Sequence, residues 1–595
     1  MVLSTRTNYK NITKMNAQIT LQRLAADSRQ HGVLQINVDD TNTNAQRETT
    51  FIVVVDLSGS MDEEGASSGK SRTRESKLDQ LKFVLRNIVR FIANNTNGNV
   101  WFKLIGFNHD VFTIIPSKII TKENLAEIIT RIDKMYAEGS TNIEKALMTT
   151  HDNSVISNCH ILVLSDGEAT SGNSDPNELA KLVNPNATNS FLGFGLEHDP
   201  YMFNTLAATL NSSYFFIQDK EKAGVAYGEI LYGALHNRYS GVVAVARNCE
   251  LYDYKMGKWT DKLYIGRLAS NDSKKYHIRK IDGANDSDVH IDILSEETAV
   301  ICSAQFDGSY NDLIEMMYRL RTLELLYKVA MFEKGEDVEV EDSSDESADD
   351  DFSIQKPSAF TIEAVEETDD KTYTKRLPEL KNELKKHLYE MTEYMKTIND
   401  KQFIKNLCDD IAIVLKTIGT QYGEMLTYSR QHSQGEERAH QVTNISEIED
   451  NIQRSGAGRI QRSSQRACAY DSDSDDEPIQ RASRQTQMAS SPTQRASSPT
   501  QRASRQTQMA SSPTRQRCPA PSSIERCSQM APADSDSDDE PPLMASRQRS
   551  CGPSQNNPVD DIIDNYNISD NLESTCSQTK LFVIRSISSN SDETV

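Results

Sequence analysis

A short apolar run followed at once by closely spaced oxygen-bearing side chains is the most constraining feature of this sequence. Residues 51–55 read FIVVV and the next five read DLSGS. An unbroken run of β-branched and aromatic residues predicts a strand that is buried on both faces. Asp56, Ser58 and Ser60 alternate in the turn that follows, so their side chains can point toward one place. Carboxylate and hydroxyl oxygens bind hard divalent cations, and we therefore predict a metal site at this turn.

Two later stretches supply oxygen ligands of the same kinds. Residues 139–142 (GSTN) place the Thr141 hydroxyl at the start of a predicted helix, and residues 164–167 (LSDG) place the Asp166 carboxylate at the end of another apolar strand. In open α/β sheets, ligands bind beyond the carboxyl ends of the strands. We therefore expect Asp56, Thr141 and Asp166 to lie close together.

In this order, the three stretches resemble the metal-ion-dependent adhesion site of the von Willebrand factor A family, and the resemblance covers residues 51–236. It implies that Ser58, Ser60 and Thr141 bind a divalent ion, Mg²⁺ or Mn²⁺, directly, and that Asp56 and Asp166 bind it directly or through water. It also implies that an acidic side chain of a protein partner completes the coordination.

One alternative and one departure from the family accompany this interpretation. Asp and Ser also cap helices, so the DLSGS turn alone fits a simple helix start, whereas the two later stretches favour the metal site. Residues 62–76 (DEEGASSGKSRTRES) form a longer connection than the short turn usual in the family before its first helix. This connection borders the predicted metal face and is expected to modify ligand access.

Short apolar strands alternate with amphipathic helices from residue 51 to about residue 236. This alternation predicts an α/β fold with a doubly wound, mostly parallel, Rossmann-like sheet. Later in the chain, strand-like segments predict a small β-sandwich, with a further strand at 34–38, and helical periodicity predicts helices at 311–333, 376–398 and 400–428. The predicted organisation is an N-terminal extension (1–30), a strand and linker (31–50), the α/β domain (51–238), a β-rich module (239–306), a helical region (307–430) with an acidic insertion (336–351), and a tail (431–595).

The tail is dominated by polar repeats. QRASRQTQMASSPT occurs at 480–493 and again at 501–514, and DSDSDDEP occurs at 471–478 and 534–541. Such a composition cannot bury enough apolar surface to form a core, so disorder is expected. Several serines of the tail lie beside carboxylates or before proline. They are equally consistent with phosphorylation sites and with a solvated spacer that is not modified.

Composition limits the classes of function. A net charge of −22 argues against general nucleic-acid binding. Nine cysteines without a CxxC pair argue against zinc modules and fit reduced thiols. Neither a secretory signal nor a run long enough to span a bilayer is present, so we expect an intracellular, cytoplasmic protein without membrane association.

The sequence contains no HExxH motif and no GxGxxG after a strand. The first hypothesis is therefore a non-enzymatic, metal-dependent protein-binding or scaffold protein. The second is a non-catalytic subunit of a ubiquitin ligase or of an ATP-driven assembly, because relatives of both kinds carry this domain. Oligomeric state is left open.

Overall fold

The structure is a computed structural model. It describes residues 15–22, 30–39, 48–63, 75–96, 98–151, 158–166, 169–218, 220–295, 299–335 and 370–438, and also Ile445, Ile448, Glu449, Ile452, Tyr566, Phe582 and Val583. The first two strands are β1 (Met15–Leu21) and β2 (His31–Val38). The α/β domain follows, with strands β3 (Thr49–Asp56), β4 (Val100–Phe107), β5 (Val111–Ile119), β6 (Cys159–Ser165), β7 (Thr188–Phe194) and β8 (Ser212–Ile217). Its helices are α1 (Lys77–Asn95), α2 (Leu125–Asp133), α3 (Ile143–His151), α4 (Pro176–Ala180), α5 (Pro200–Ala207) and α6 (Lys220–Leu235).

The α/β domain is built on a six-stranded sheet in the order β5-β4-β3-β6-β7-β8. All neighbouring strands are parallel except the β4–β5 hairpin at one edge. The central strand β3 is buried along its whole length, which explains its unbroken apolar run. Val53 packs in the core that includes α1 and α6, and Val54 packs in the core that includes α3 and α5. The predicted α/β fold with a mostly parallel sheet is confirmed.

A second sheet has nine strands in the order β11-β10-β13-β2-β1-β15-β14-β9-β12. The remaining strands of this sheet are β9 (Asn237–Arg247), β10 (Cys249–Asp253), β11 (Lys258–Thr260), β12 (Lys262–Ala269), β13 (Ser273–Lys280), β14 (His290–Ser295) and β15 (Ala299–Tyr310). Its pairs are antiparallel except β1–β15. Strands β10 and β12, far apart in this order, contact each other and share one core, so the sheet folds back over itself.

This sheet differs from the small β-sandwich predicted for 239–306. The strand predicted at 34–38 is part of β2, whereas β1 lies in the predicted N-terminal extension (1–30), and these two strands lie in the middle of the nine. The sheet is therefore larger than predicted. Its β1–β15 and β2–β13 pairings each join residues that are more than two hundred positions apart in the sequence.

Four long helices complete the described fold: α7 (Ile314–Lys334), α8 (Asp370–Met395), α9 (Gln402–Thr417) and α10 (Gly423–Gly435). Helices α7, α8 and α9 share one apolar core, while α10 packs on β8 and α5 of the α/β domain. The single helix predicted at 400–428 is broken, because Gly419 adopts a left-handed backbone with φ of +81°. Its N–H donates to Glu333 Oε1 at 2.8 Å, which fixes the break against α7.

The tail boundary predicted at 431 falls inside α10, which continues to Gly435. The acidic insertion at 336–351, most of the connection at 62–76 and nearly all of the tail lie outside the described residues. Within the part of the chain that is described, no helix is long and apolar enough to cross a membrane.

Candidate metal centre

The two candidate carboxylates come from adjacent parallel strands at the point where the order of the sheet reverses. Strand β3 pairs with β4 on one side and β6 on the other, and Val55 lies opposite Leu164 in the β3–β6 register. Asp56 ends β3 and Asp166 follows β6, so both reach the same edge of the sheet. A crevice at such a switch point is where α/β sheets bind ligands. The Ser165 hydroxyl, at the end of β6, donates to Asp56 Oδ2 and orients that carboxylate.

The turn after β3 joins the remaining oxygens to these carboxylates. The Ser58 N–H donates to Asp56 Oδ1 at 2.8 Å, and a 3₁₀ turn follows at Gly59–Asp62. The Ser58 and Ser60 hydroxyl oxygens lie 3.0 Å apart. The Ser60 hydroxyl donates to Asp166 Oδ1 at 2.9 Å. Four of the five predicted ligands therefore belong to one hydrogen-bonded group.

The fifth predicted ligand, Thr141, lies on a loop held against this turn. The Gly59 N–H donates to the Gly139 carbonyl at 3.0 Å. Gly139 has φ of +80°, and a Cβ there would lie 2.6 Å from His109 Nδ1, so glycine is required. Thr141 is buried, and its N–H donates to Thr170 Oγ1 at 2.8 Å. Among the described residues, its hydroxyl makes no hydrogen bond to the other predicted ligands.

The side-chain cap of α3 comes from the residue after Thr141. Asn142 Oδ1 accepts the Lys145 N–H at 2.9 Å, so Asn142 rather than Thr141 supplies the side-chain cap of this helix. Because Asn142 carries out the capping, the Thr141 hydroxyl is not needed for it.

The spacing of these oxygens suits a small hard cation. Adjacent ligands of an octahedral Mg²⁺ at about 2.1 Å lie about 3.0 Å from each other. The Ser58–Ser60 and Ser60–Asp166 oxygen pairs have separations of 3.0 Å and 2.9 Å. The part of the chain that is described has no metal-binding group of three or more His, Cys, Asp or Glu side chains. The donor set at this edge is instead rich in hydroxyls, with two carboxylates, and it fits Mg²⁺ or Mn²⁺ chemically.

Burial makes the Asp56 carboxylate costly to ionise without a cation. Asp56 is fully buried, and this burial raises its pKa to about 6, against the opposing effect of the hydrogen bonds from Ser165 and Ser58. A divalent ion beside it would supply the missing positive charge. The electrostatics of Asp56 therefore agree with a cation site.

A buried lysine also reaches this site, and sequence reasoning missed it. The Lys77 ammonium lies 2.9 Å from Asp166 Oδ2 and 3.0 Å from Glu197 Oε2. Burial acts to lower the pKa of Lys77, but the contacts with Asp166 and Glu197 outweigh burial and raise it. One signal was available in the sequence: Lys77 is the first residue of α1, where a positive charge opposes the helix dipole. Glu197, Ser165 and Thr170 carried no comparable signal, because only the tertiary fold brings them to the site.

A comparison with family models agrees with this fold. A family model described as von Willebrand factor type A domain matches residues 51–168. No curated protein matches the chain. A solved von Willebrand factor type A structure from Catenulispora acidiphila is 14% identical, covers 55% of this chain and 82% of its own, and has a TM-score of 0.41. The ArnB paralog VWA2 from Sulfolobus acidocaldarius is 13% identical, covers 71% of this chain and 99% of its own, and has a TM-score of 0.39.

The family match runs from β3 to just beyond β6, so it includes the central strands of the six-stranded sheet. It also includes all five predicted ligand positions, from Asp56 to Asp166. This chain therefore contains a von Willebrand factor type A domain.

Proposed function

We propose that the chain is a non-enzymatic, divalent-metal-dependent protein-binding or scaffold protein. In this proposal the ion is Mg²⁺ or Mn²⁺, and its ligands are Asp56, Ser58, Ser60, Thr141 and Asp166. The observation that carries the proposal is the hydrogen-bonded group that links Asp56, Ser58, Ser60 and Asp166. Its Ser58–Ser60 and Ser60–Asp166 oxygen pairs have the spacing of octahedral ligands.

The hydroxyl-rich ligand set determines what the ion can do. Hydroxyls are neutral and weak ligands, and two carboxylates only balance the charge of a divalent ion. An ion held in this way stays electron-poor and can accept one more anionic oxygen. The fitting ligand is the side-chain carboxylate of an Asp or Glu on a protein partner, since that group supplies both charge and a hard oxygen.

The surrounding residues prepare the site for this capture. Ser165 orients the Asp56 carboxylate by a hydrogen bond, and Ser60 orients that of Asp166. The carbonyl of Thr141 accepts the Thr170 N–H at 3.0 Å and the Ser171 N–H at 3.1 Å, which fixes the backbone of its loop. The oxygens are therefore held in place by the fold rather than gathered only when the ion arrives.

The first test is metal uptake. We expect Mg²⁺ to bind the full-length chain in isothermal titration calorimetry, and the double variant Asp56→Asn/Asp166→Asn to show no binding. The matched control is Glu127→Gln/Asp133→Asn on α2, which also removes two carboxylates but leaves the metal edge intact. Equal Mg²⁺ uptake by the wild type and the Asp56→Asn/Asp166→Asn variant would contradict the proposed site.

The second test is carboxylate capture. Bound Mn²⁺ that keeps exchangeable water enhances the relaxation of water protons. We expect acetate, or a short peptide that contains Asp, to reduce this enhancement in the wild type because a carboxylate replaces the bound water. The same peptide with Asn in place of Asp is the control and should have no effect. An enhancement that neither acetate nor the Asp peptide changes would argue against carboxylate capture.

A further inference from the structure

Lys77 occupies an unusual position beside the candidate metal centre. It is the first residue of α1, it is 5% exposed, and its ammonium contacts three carboxylates. Asp166 is buried, whereas the side chains of Glu63 and Glu197 are 60% and 70% exposed. A cation at the positive end of a helix is unfavourable. The buried contact with Asp166 compensates for this placement, because the ion pairs with the exposed Glu63 and Glu197 contribute little to stability.

The two oxygens of Asp166 are divided between different partners. Oδ1 accepts the Ser60 hydroxyl at 2.9 Å and so faces the cluster of predicted ligands. Oδ2 accepts the Lys77 ammonium at 2.9 Å. The ammonium therefore contacts the same carboxylate that the ion would use, through its other oxygen.

We propose that Lys77 is a built-in cation that takes the place of the divalent ion when the site is empty. Without metal, Lys77 neutralises the buried Asp166 carboxylate and keeps the metal edge folded. With metal, the ion would share the Asp166 carboxylate with the ammonium, and Coulomb repulsion between the two cations would weaken metal binding. Lys77 thus makes the metal dispensable for folding and its binding reversible. This inference rests on the proposed metal site.

The test combines three Lys77 variants of the full-length chain with MgCl₂ as the only probe. Lys77→Gln keeps a hydrogen-bond donor and removes the charge, Lys77→Met removes both, and Lys77→Arg keeps the charge. Lys82→Met, on the same helix, is the matched control. Melting temperatures are measured in EDTA and in MgCl₂, and the Mg²⁺ dissociation constant is measured by calorimetry.

We expect Lys77→Gln and Lys77→Met to melt below the wild type in EDTA and to recover much of the difference in MgCl₂. Both variants should bind Mg²⁺ about tenfold more tightly than the wild type because the repulsion is gone. Lys77→Arg and Lys82→Met should behave like the wild type. A variant with tighter metal binding also gains more stability from the same Mg²⁺ concentration, so the two measurements check each other.

The outcomes separate this inference from the proposed function. If the wild type binds Mg²⁺ and neither Lys77→Gln nor Lys77→Met changes the dissociation constant, the role of Lys77 proposed above is wrong and the metal site stands. If Lys77→Gln and Lys77→Met lower the melting temperature by the same amount in EDTA and in MgCl₂, Lys77 forms only an ordinary structural ion pair and the proposed role is likewise wrong. If neither the wild type nor any variant takes up Mg²⁺, the metal site itself is wrong. Should Lys77→Met not fold in EDTA, Lys77→Gln decides the question.

Discussion

Replacement of Thr141 by alanine is expected to abolish Mg²⁺-dependent carboxylate capture while leaving the metal-free fold intact. The backbone of Thr141 keeps its hydrogen bonds to Thr170 and Ser171, and Asn142 still caps α3. The change removes no charge and should cost about 1 kcal/mol of folding stability or less. Under the proposed coordination, in contrast, the ion would lose one of its five protein oxygens.

The expected loss of metal affinity for Thr141→Ala is at least about 10- to 100-fold, because removal of a residue that only supports the ligands already has an effect of this size and Thr141 is itself a proposed ligand. Calorimetry with Mg²⁺ measures the affinity, water-proton relaxation with Mn²⁺ and acetate measures the capture, and thermal melting in EDTA measures the fold. Thr149→Ala is the matched control, because Thr149 lies on the same helix α3 and its hydroxyl donates to the Lys145 carbonyl. A Thr141→Ala protein that is unfolded in EDTA, or that still captures acetate normally, would show that Thr141 is not a ligand.

The α/β sheet could be predicted from the sequence because its signals are local. The apolar run of β3, the hairpin β4–β5 and the polar turns after β3 and β6 each lie within a few residues. Parallel strands end at a common edge, so the meeting of Asp56 and Asp166 followed from their places after β3 and β6. The alternation of Ser58 and Ser60 after Asp56 was likewise visible in the sequence.

The residues that surround the ligands could not be predicted in the same way. Lys77 and Glu197 are 120 positions apart, and Glu197 comes close to the Lys77–Asp166 ion pair only after β6 and β7 pair. Ser165 was visible beside Asp166, but its hydrogen bond to Asp56 depends on the register between β3 and β6. The short-range pattern of the sequence contains neither contact.

The second sheet exceeded its prediction for the same reason. Strand β1 pairs with β15, and β2 pairs with β13, so residues near positions 20 and 35 meet residues near 306 and 275. Alternation of apolar and polar residues can indicate that a strand exists, but it does not identify a partner so distant in the chain. The predicted N-terminal extension therefore became part of the middle of a nine-stranded sheet.

The second large effect is expected at Arg319, a 2% exposed arginine of α7. Its guanidinium donates to the Lys275 carbonyl at 3.0 Å, to Glu437 Oε1 at 2.7 Å and to the Gln434 carbonyl. It thus joins β13, α7 and the end of α10. Replacement by methionine leaves these acceptors without their donor, and we expect a loss of about 3 kcal/mol in the free energy of unfolding.

The matched control is Arg321→Met, two residues along α7. Arg321 forms a partly exposed ion pair with Glu390 at 3.2 Å, and its loss should cost about 1 kcal/mol or less. Urea denaturation of the full-length variants measures both changes. Arg319 contacts Gln434 and Glu437, which lie beyond the predicted tail boundary at 431, so a large effect at Arg319 alone means that residues 434–437 belong to the folded unit. If Arg319→Met unfolds at the same urea concentration as the wild type, the Arg319 contacts add nothing to stability and the fold does not depend on this segment.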